Sequence, residues 1–229
     1  MNAHAMPERA EAVFVTDYDG TMTESDFFEE VRTRLAGDDD PWQEYLRGEI
    51  THFEALRRIF ARVRDEATAR ELAQATRLDP ETPAAVPRLR KSGWEVVVAS
   101  AGCRWYIDLL FGEAGIDVPV VANPGSFVPQ EGLVMTLPAG SPFFSPETGI
   151  DKTALLRYWV ARCDRVAFAG DGRPDLAPAL LVPGRLRFAR GWLAEALAER
   201  GEPFRPFGRW SEIAAVLTAE PVPSRRDAR

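Results

Sequence analysis

Two aspartates separated by one residue, in the run Asp17-Tyr18-Asp19-Gly20-Thr21, directly follow an apolar stretch at 12 to 16. Residues i and i+2 of an extended chain project to the same side, so both carboxylates can leave the end of a strand together. One can attack phosphorus while the other passes a proton to the leaving oxygen. Gly20 lets the backbone turn away with no side chain in its path. Aspartate and glycine also build ordinary turns. Yet at average composition four specified residues match at a given start only about once in 10⁵, so their place after a strand favours chemistry over a chance turn.

Three further groups recur at comparable places. Ser100 ends the apolar run WEVVVAS (94 to 100), Lys152 opens a helical stretch in Ile150-Asp151-Lys152-Thr153, and Asp171 and Asp175 sit in Gly170-Asp171-Gly172-Arg173-Pro174-Asp175 after RVAFAG (165 to 170). Singly, each has an ordinary explanation: a strand-end cap for Ser100, an exposed helix residue for Lys152, a turn former and a helix N-cap for the two aspartates. Lys152 stands out because the chain has 28 basic residues of which only Lys91 and Lys152 are lysines.

The elements that must position these groups are short apolar runs alternating with helical stretches. The runs at 12 to 16, 94 to 100, 118 to 123 and 165 to 170 read as buried parallel strands, with a fifth at 186 to 190. Helices are expected at 82 to 91, 104 to 114, 151 to 162 and 190 to 200, the last stopped by Gly201, with a short one around Ile213, Val216 and Leu217. The pattern predicts an α/β fold, a Rossmann-like parallel sheet with helices on both faces. Residues 25 to 81 interrupt it. They show helical periodicity, with Phe27, Phe28, Val31 and Leu35 on one face and Phe53, Leu56, Ile59, Phe60 and Val63 on another, and are too long for a plain crossover. We therefore expect a core from 11 to 24 and 82 to 218, a small helical cap at 25 to 81, and flexible tails at 1 to 10 and 219 to 229. The acidic run Asp38-Asp39-Asp40 before Pro41 predicts a solvated turn with Asp40 capping a helix. Residues 124 to 149 predict a hairpin around Gln130-Glu131-Gly132 and leave its role open.

A chain of 229 residues, 45% hydrophobic, can bury one sizeable core. Its formal charge of -7 argues against nucleic-acid binding, which needs a basic face. No apolar run reaches membrane-spanning length. Cys103 and Cys163 are too few for a disulfide scaffold or a zinc site, which fits a reducing, cytoplasmic compartment. The expected partner is a small molecule, with the chain a monomer or homodimer.

The four motifs, in this order on these elements, resemble those of the haloacid dehalogenase superfamily, in the subclass IB with a C1 cap, over roughly residues 12 to 218. The resemblance implies a phosphatase with Asp17 as nucleophile and Asp19 as general acid/base. It assigns phosphoryl binding to Ser100, Lys152, Thr21 and the backbone amides of Tyr18 and Ala101, with Thr21 also hydrogen-bonding Asp17. It implies a Mg²⁺ cofactor held by the Asp17 carboxylate, the Asp19 carbonyl and Asp171, with Asp175 beside or behind them. An acid at position 19 separates the phosphatases from the dehalogenases of the superfamily.

Within it the chain is similar to phosphoserine phosphatase and, more narrowly, to the methionine-salvage 2-hydroxy-3-keto-5-methylthiopentenyl-1-phosphate phosphatases. The narrower likeness lies in TMTESDFF after the first motif and in Phe188-Ala189-Arg190 through Leu193 to Pro203-Phe204. A cap of this kind closes over small molecules. The stretch 48 to 58 looks like the cap helix in which an arginine meets the substrate, which points to Arg58, or alternatively Arg57. Glu24 and Asp26 are expected to face the same pocket, His52 to sit at the surface or pack within the cap rather than act in catalysis, and Trp105, Tyr106, Phe127, Phe143 and Phe144 to line an apolar wall or to pack in the core or the hairpin. The expected substrate is a phosphoserine-like or enol-phosphate ester. The alternatives are a phosphotransferase, or a catalytically silent protein binding a ligand or metal on the same fold; a metal-free glycosidase built on the carboxylate pair is disfavoured by the motif order.

Overall fold

A computed structural model describes residues 10–35, 37–128 and 130–219 of the chain. The tails expected at 1 to 10 and 219 to 229 fall outside the described residues, apart from Ala10 and Ala219. In chain order, β1 (Ala12–Thr16) is followed by four inserted helices: α1 (Phe27–Arg34), α2 (Pro41–Leu46), α3 (His52–Phe60) and α4 (Glu66–Ala75). Next come α5 (Thr82–Lys91), β2 (Trp94–Cys103), α6 (Arg104–Ala114) and β3 (Val120–Asn123). Two hairpins, β4 (Gly125–Val128) with β5 (Gly132–Met135) and β6 (Phe144–Ser145) with β7 (Gly149–Ile150), lead into α7 (Lys152–Val160). The chain finishes with β8 (Arg165–Gly170), α8 (Leu176–Ala179), β9 (Arg187–Ala189), α9 (Gly191–Glu199), β10 (Arg205–Pro206) and α10 (Trp210–Ala219).

The apolar runs are continuous because their strands are covered on both faces. Along β1, Ala12 and Phe14 enter one cluster and Val13 and Val15 the other, and β2 and β8 divide in the same way. One cluster is covered by Leu155, Leu156 and Trp159 of α7 with Leu193 and Leu197 of α9. The other is covered by α5, α6 and α10, and it continues without a break into Phe27, Val31, Phe53, Ile59 and Leu72 of the inserted helices. The six-stranded parallel sheet has the order β10-β9-β8-β1-β2-β3. The connection out of β1 leads to one side of it and the later return through β8 to the other, so the carboxyl end of β1 lies at a switch point, where such sheets place ligands. Thr16 is level with Val98 of β2 and Ala169 of β8, so the residues that follow on from all three strands emerge at one edge.

Asp40 caps α2, accepting from the amides of Trp42 and Gln43, with Pro41 in the first turn. β2 runs three residues past Ser100, and its pairing with β3 shifts register between Ala99 and Cys103. The segment 124 to 149 acquires a structural role. The β4–β5 hairpin holds the α3–α4 connection, with Leu133 N–H donating to Val63 O (3.1 Å) and Arg64 donating to the carbonyls of Gln130 and Glu131. The β6–β7 turn holds the start of α3, where Glu147 accepts from the amides of Phe53 through its carbonyl and of His52 through its carboxylate. Both cysteines are free and buried. No helix among the described residues is long and apolar enough to cross a membrane.

Candidate active site

Asp17 sits one residue beyond β1, anchored by its amide donating to Ala169 O (2.9 Å). The chain then folds over Tyr18, whose carbonyl accepts from the amides of Thr21, Met22 and Thr23. Gly20 has φ +63, and a Cβ there would lie 2.3 Å from Asp171 Oδ2 and 2.8 Å from Asp26 Oδ1. A side chain at this turn would therefore collide with the acidic cluster itself. Arg190, immediately after β9, pins the turn by donating to the carbonyls of Gly20 and Thr23.

Lys152 ties the cluster together. It is 4% exposed, and its Nζ lies 2.7 Å from both Asp17 Oδ1 and Asp175 Oδ1. Asp175 is fully buried, and its Oδ2 accepts from the amides of Asp171 (3.1 Å) and Gly172 (3.0 Å). Burial alone would strip Lys152 of its proton; Asp17 and Asp175 hold it charged, with its pKa above the usual lysine value. Burial, with repulsion from Asp175, pushes Asp17 well above the carboxylate range, against the pull of Lys152. Burial and the Asp175 charge likewise push Asp171 up to about 7. Oxygens of Asp17, Asp171 and Asp175 all lie within 4.8 Å of one another. Hard oxygen donors crowded beyond what one lysine can balance suit a divalent cation.

Asp19 has a different set of partners. Its Oδ1 accepts from the Phe27 amide (3.1 Å) and its Oδ2 from the Tyr106 hydroxyl (2.6 Å), with Ser100 Oγ further off at 3.5 Å. Its pKa is raised, by burial, against these stabilising bonds. Asp17, Asp19, Ser100, Ala101, Lys152 and Asp171 all open onto one cavity of about 300 Å³. Its opposite wall is Phe28, Trp42, His52, Leu56 and Phe60, with Arg173 and Trp192 at one side. His52, Leu56 and Phe60 fall at i, i+4 and i+8 on α3 and so share a face. The ring of His52 makes T-shaped contacts with Trp42 and Tyr45, its Nδ1 has no hydrogen-bond partner among the described residues, and burial with the nearby Lys152 charge lowers its pKa to about 4.

The cavity does not gather every expected residue. Thr21 donates to Asp171 Oδ1 (2.7 Å) and not to Asp17; the turn over Tyr18 carries it toward the β8 side. Arg58 is bound to Glu44 and Asp39, and Arg57 to Glu54, because the apolar face of α3 points inward and positions 57 and 58 fall on the outer side. Glu24 pairs with Arg77 on an exposed surface. Asp26 does face the cavity, as does Tyr106 alone among the five aromatics considered for its wall. Sequence reasoning missed Trp42, Arg173 and Trp192, although Arg173 lies inside the fourth motif. It also missed Asn123, whose Nδ2 donates to Ala101 O (2.7 Å) and Thr148 O (2.9 Å) and so joins the end of β2, just past Ser100, to the approach to Lys152.

Residues 14–180 match the family model for haloacid dehalogenase-like hydrolases. Among solved structures, a haloacid dehalogenase family hydrolase from Salmonella enterica serovar Typhi is similar at 15% identity, with TM-score 0.67 over 93% of this chain and 73% of that one. A phosphoserine phosphatase from T. onnurineus is similar at 20% identity, with TM-score 0.61 over 94% of this chain and 98% of that one. A probable phosphoserine phosphatase from Vibrio cholerae is similar at 20% identity and TM-score 0.63; the match covers 91% of this chain but only 64% of that longer one. No curated protein matches the sequence.

Proposed function

This chain belongs to the haloacid dehalogenase-like hydrolase family, and from that membership we propose that it is a Mg²⁺-dependent phosphomonoesterase working on a small phosphorylated metabolite through an aspartyl phosphate. The observation that carries the reading is the joint placement of Asp17 and Asp19 on one cavity, with Lys152 bound at 2.7 Å to Asp17.

Lys152 fixes Oδ1 of Asp17, which leaves Oδ2 to attack phosphorus. As that bond forms, the bond from phosphorus to the ester oxygen breaks, and Asp19 gives the departing oxygen its proton. Asp19, now ionised, takes a proton from water, which attacks the aspartyl phosphate and frees Asp17 and inorganic phosphate. Ser100, Lys152 and the amides of Tyr18 and Ala101 bind the phosphoryl oxygens. The Asp17 carboxylate, the Asp19 carbonyl and Asp171 would hold Mg²⁺, while Asp175 is committed to Lys152 and two backbone amides and positions the others. When bound, the ion supplies the positive charge that lets a carboxylate approach an anionic phosphate.

In this reading residues 25–81 serve as the cap over a core of 11–24 and 82–218. Of the two substrate candidates, the aromatic wall favours the enol-phosphate type seen in the methionine-salvage group over a phosphoserine-like ester. A phosphoamino acid needs a cation for its carboxylate; Arg57 and Arg58 are engaged elsewhere, which leaves Arg173, stacked over Trp192 at the side of the cavity, as the group such an ester would have to use.

The test is phosphate release from a panel containing phosphoserine, an enol phosphate and para-nitrophenyl phosphate, with and without Mg²⁺, beside Asp17→Asn. Magnesium-dependent release that falls at least about 1,000-fold in the variant is expected. No release from any ester by folded, metal-loaded protein overturns the reading in favour of a silent binding protein, and release only with an added alcohol acceptor would make the chain a phosphotransferase.

A further inference from the structure

We propose that Tyr106 is the positioning residue of Asp19, holding its carboxylate where it can protonate the leaving oxygen; the inference rests on the phosphatase reading above. The Tyr106 hydroxyl donates to Asp19 Oδ2 at 2.6 Å, the shortest of that carboxylate's bonds, whereas Ser100 Oγ, which accepts from the Gly102 amide at 2.9 Å, is 3.5 Å away. The other oxygen is held by the first amide of α1, Phe27. That amide is one of the donors a helix start leaves unpaired, and the Asp26 side chain does not take that role.

Two features separate this contact from the routine satisfaction of a buried hydroxyl. The Tyr106 ring is 1% exposed and fixed on several sides: stacked on Phe27 (4.3 Å, 25°), edge-on to Phe60 (6.0 Å, 84°) and tilted against Tyr18 (6.0 Å, 42°). Its hydroxyl is therefore rigidly aimed. The chain also leaves room for that hydroxyl. A Cβ on Gly102 would lie 1.9 Å from the Tyr106 oxygen and 2.8 Å from Asp19 Oδ2, closer than atoms can approach. Gly102 lies near the end of β2, two residues past Ser100, and Tyr106 lies four residues on in the first turn of α6, so one short segment supplies both the gap and the group that fills it. Packing alone would be met as well by phenylalanine. The hydroxyl serves Asp19.

A misplaced proton donor costs most when the leaving group cannot depart unprotonated. Tyr106→Phe should therefore lower kcat/KM for an alkyl phosphate by about 10- to 100-fold, a fraction of what general acid catalysis contributes. For para-nitrophenyl phosphate, whose phenolate departs readily, kcat/KM should stay within about threefold, since this ratio reports only the steps through the first irreversible one. In an Asp19→Ala background the same substitution should add no further loss. Equal losses on both esters, no loss on either, or an undiminished loss without Asp19 would each overturn the assignment while leaving the phosphatase reading standing. Wild-type protein that hydrolyses neither ester would overturn both.

Discussion

The two walls of the cavity are built on opposite terms. Toward the sheet, charged groups are buried, paired to one another and tied to the backbone: Lys152 between Asp17 and Asp175, Asp175 under the amides of Asp171 and Gly172, Thr21 on Asp171. Toward the inserted helices the wall is mainly aromatic and aliphatic, with Asp26 and Glu29 at its α1 edge, its histidine held neutral by burial, and the arginines of α3 turned outward to Asp39, Glu44 and Glu54. The first wall would treat any phosphate ester alike, because it meets only the phosphoryl group. Selection among esters falls to the second. The difference teaches where each kind of variant should act: on chemistry and charge balance along the sheet edge, on binding and hydrophobic packing among the helices.

The largest effect should come from breaking the charged wall at its centre. Lys152→Ala leaves Asp17 and Asp175 facing each other with no cation, and removing one partner from a buried ion pair typically costs about 3–5 kcal/mol. We expect a loss of that order in urea denaturation without metal, together with phosphate release at least about 100-fold lower. If stability is unchanged, the sheet-edge charges do not form one balanced unit and the contrast between the walls collapses.

Acid and base should then stress the two walls in opposite directions. Asp171, pushed up to about 7 by burial and by Asp175, binds a proton more readily in the folded chain than in the unfolded one. Metal-free protein should therefore lose stability as pH rises from about 4 through 7, and added Mg²⁺ should raise the melting temperature more at pH 8 than at pH 5. His52, lowered to about 4 by burial and by Lys152, has the reverse sign: the unfolded chain takes the proton first. Stability is lost as pH falls from about 6.5 to 4, by roughly 3 kcal/mol in all. His52→Gln should flatten this acid limb and leave the magnesium response intact. Melting curves of both proteins from pH 4 to 8 separate the two contributions, and a metal response independent of pH would break the comparison on the sheet side.

How legible each wall was in the sequence follows the same division. β1 and β8 coincide with the apolar runs read from the sequence, and α5 and α6 with their helical stretches, since strands buried on both faces leave unbroken apolar runs. Asp17, Asp19, Ser100 and Asp171 could be placed together because each lies in a strand of that sheet or within three residues of its end. The helical wall depends on phase. α3 carries both an apolar face and two arginines, and spacing alone does not say which residues look inward; the partners that draw Arg58 out, Asp39 and Glu44, lie 19 and 14 residues before it in the chain. Tyr106 and Asn123 carry no motif, only contacts across the fold. β6, β7 and β10, two residues each, are too short for periodicity to reveal.

Arg58 supplies the smallest expected effect and the finest test of the contrast. Its guanidinium is 30% exposed and shared between Glu44 and Asp39, both from the stretch around α2. Partly exposed pairs of this kind contribute about 0.2–1 kcal/mol, because water competes for the same charges. Arg58→Ala should therefore lower stability by less than about 1 kcal/mol. It should also leave KM and kcat within about twofold for any accepted ester, while Trp42→Ala raises KM without a matching fall in kcat. If Arg58→Ala instead raises KM tenfold for an ester bearing a carboxylate and leaves para-nitrophenyl phosphate untouched, the arginine must leave Glu44 and Asp39 and reach the cavity when substrate binds. Selection would then rest on a cation recruited from outside the wall, and the apolar surface would be only the resting face of the cap.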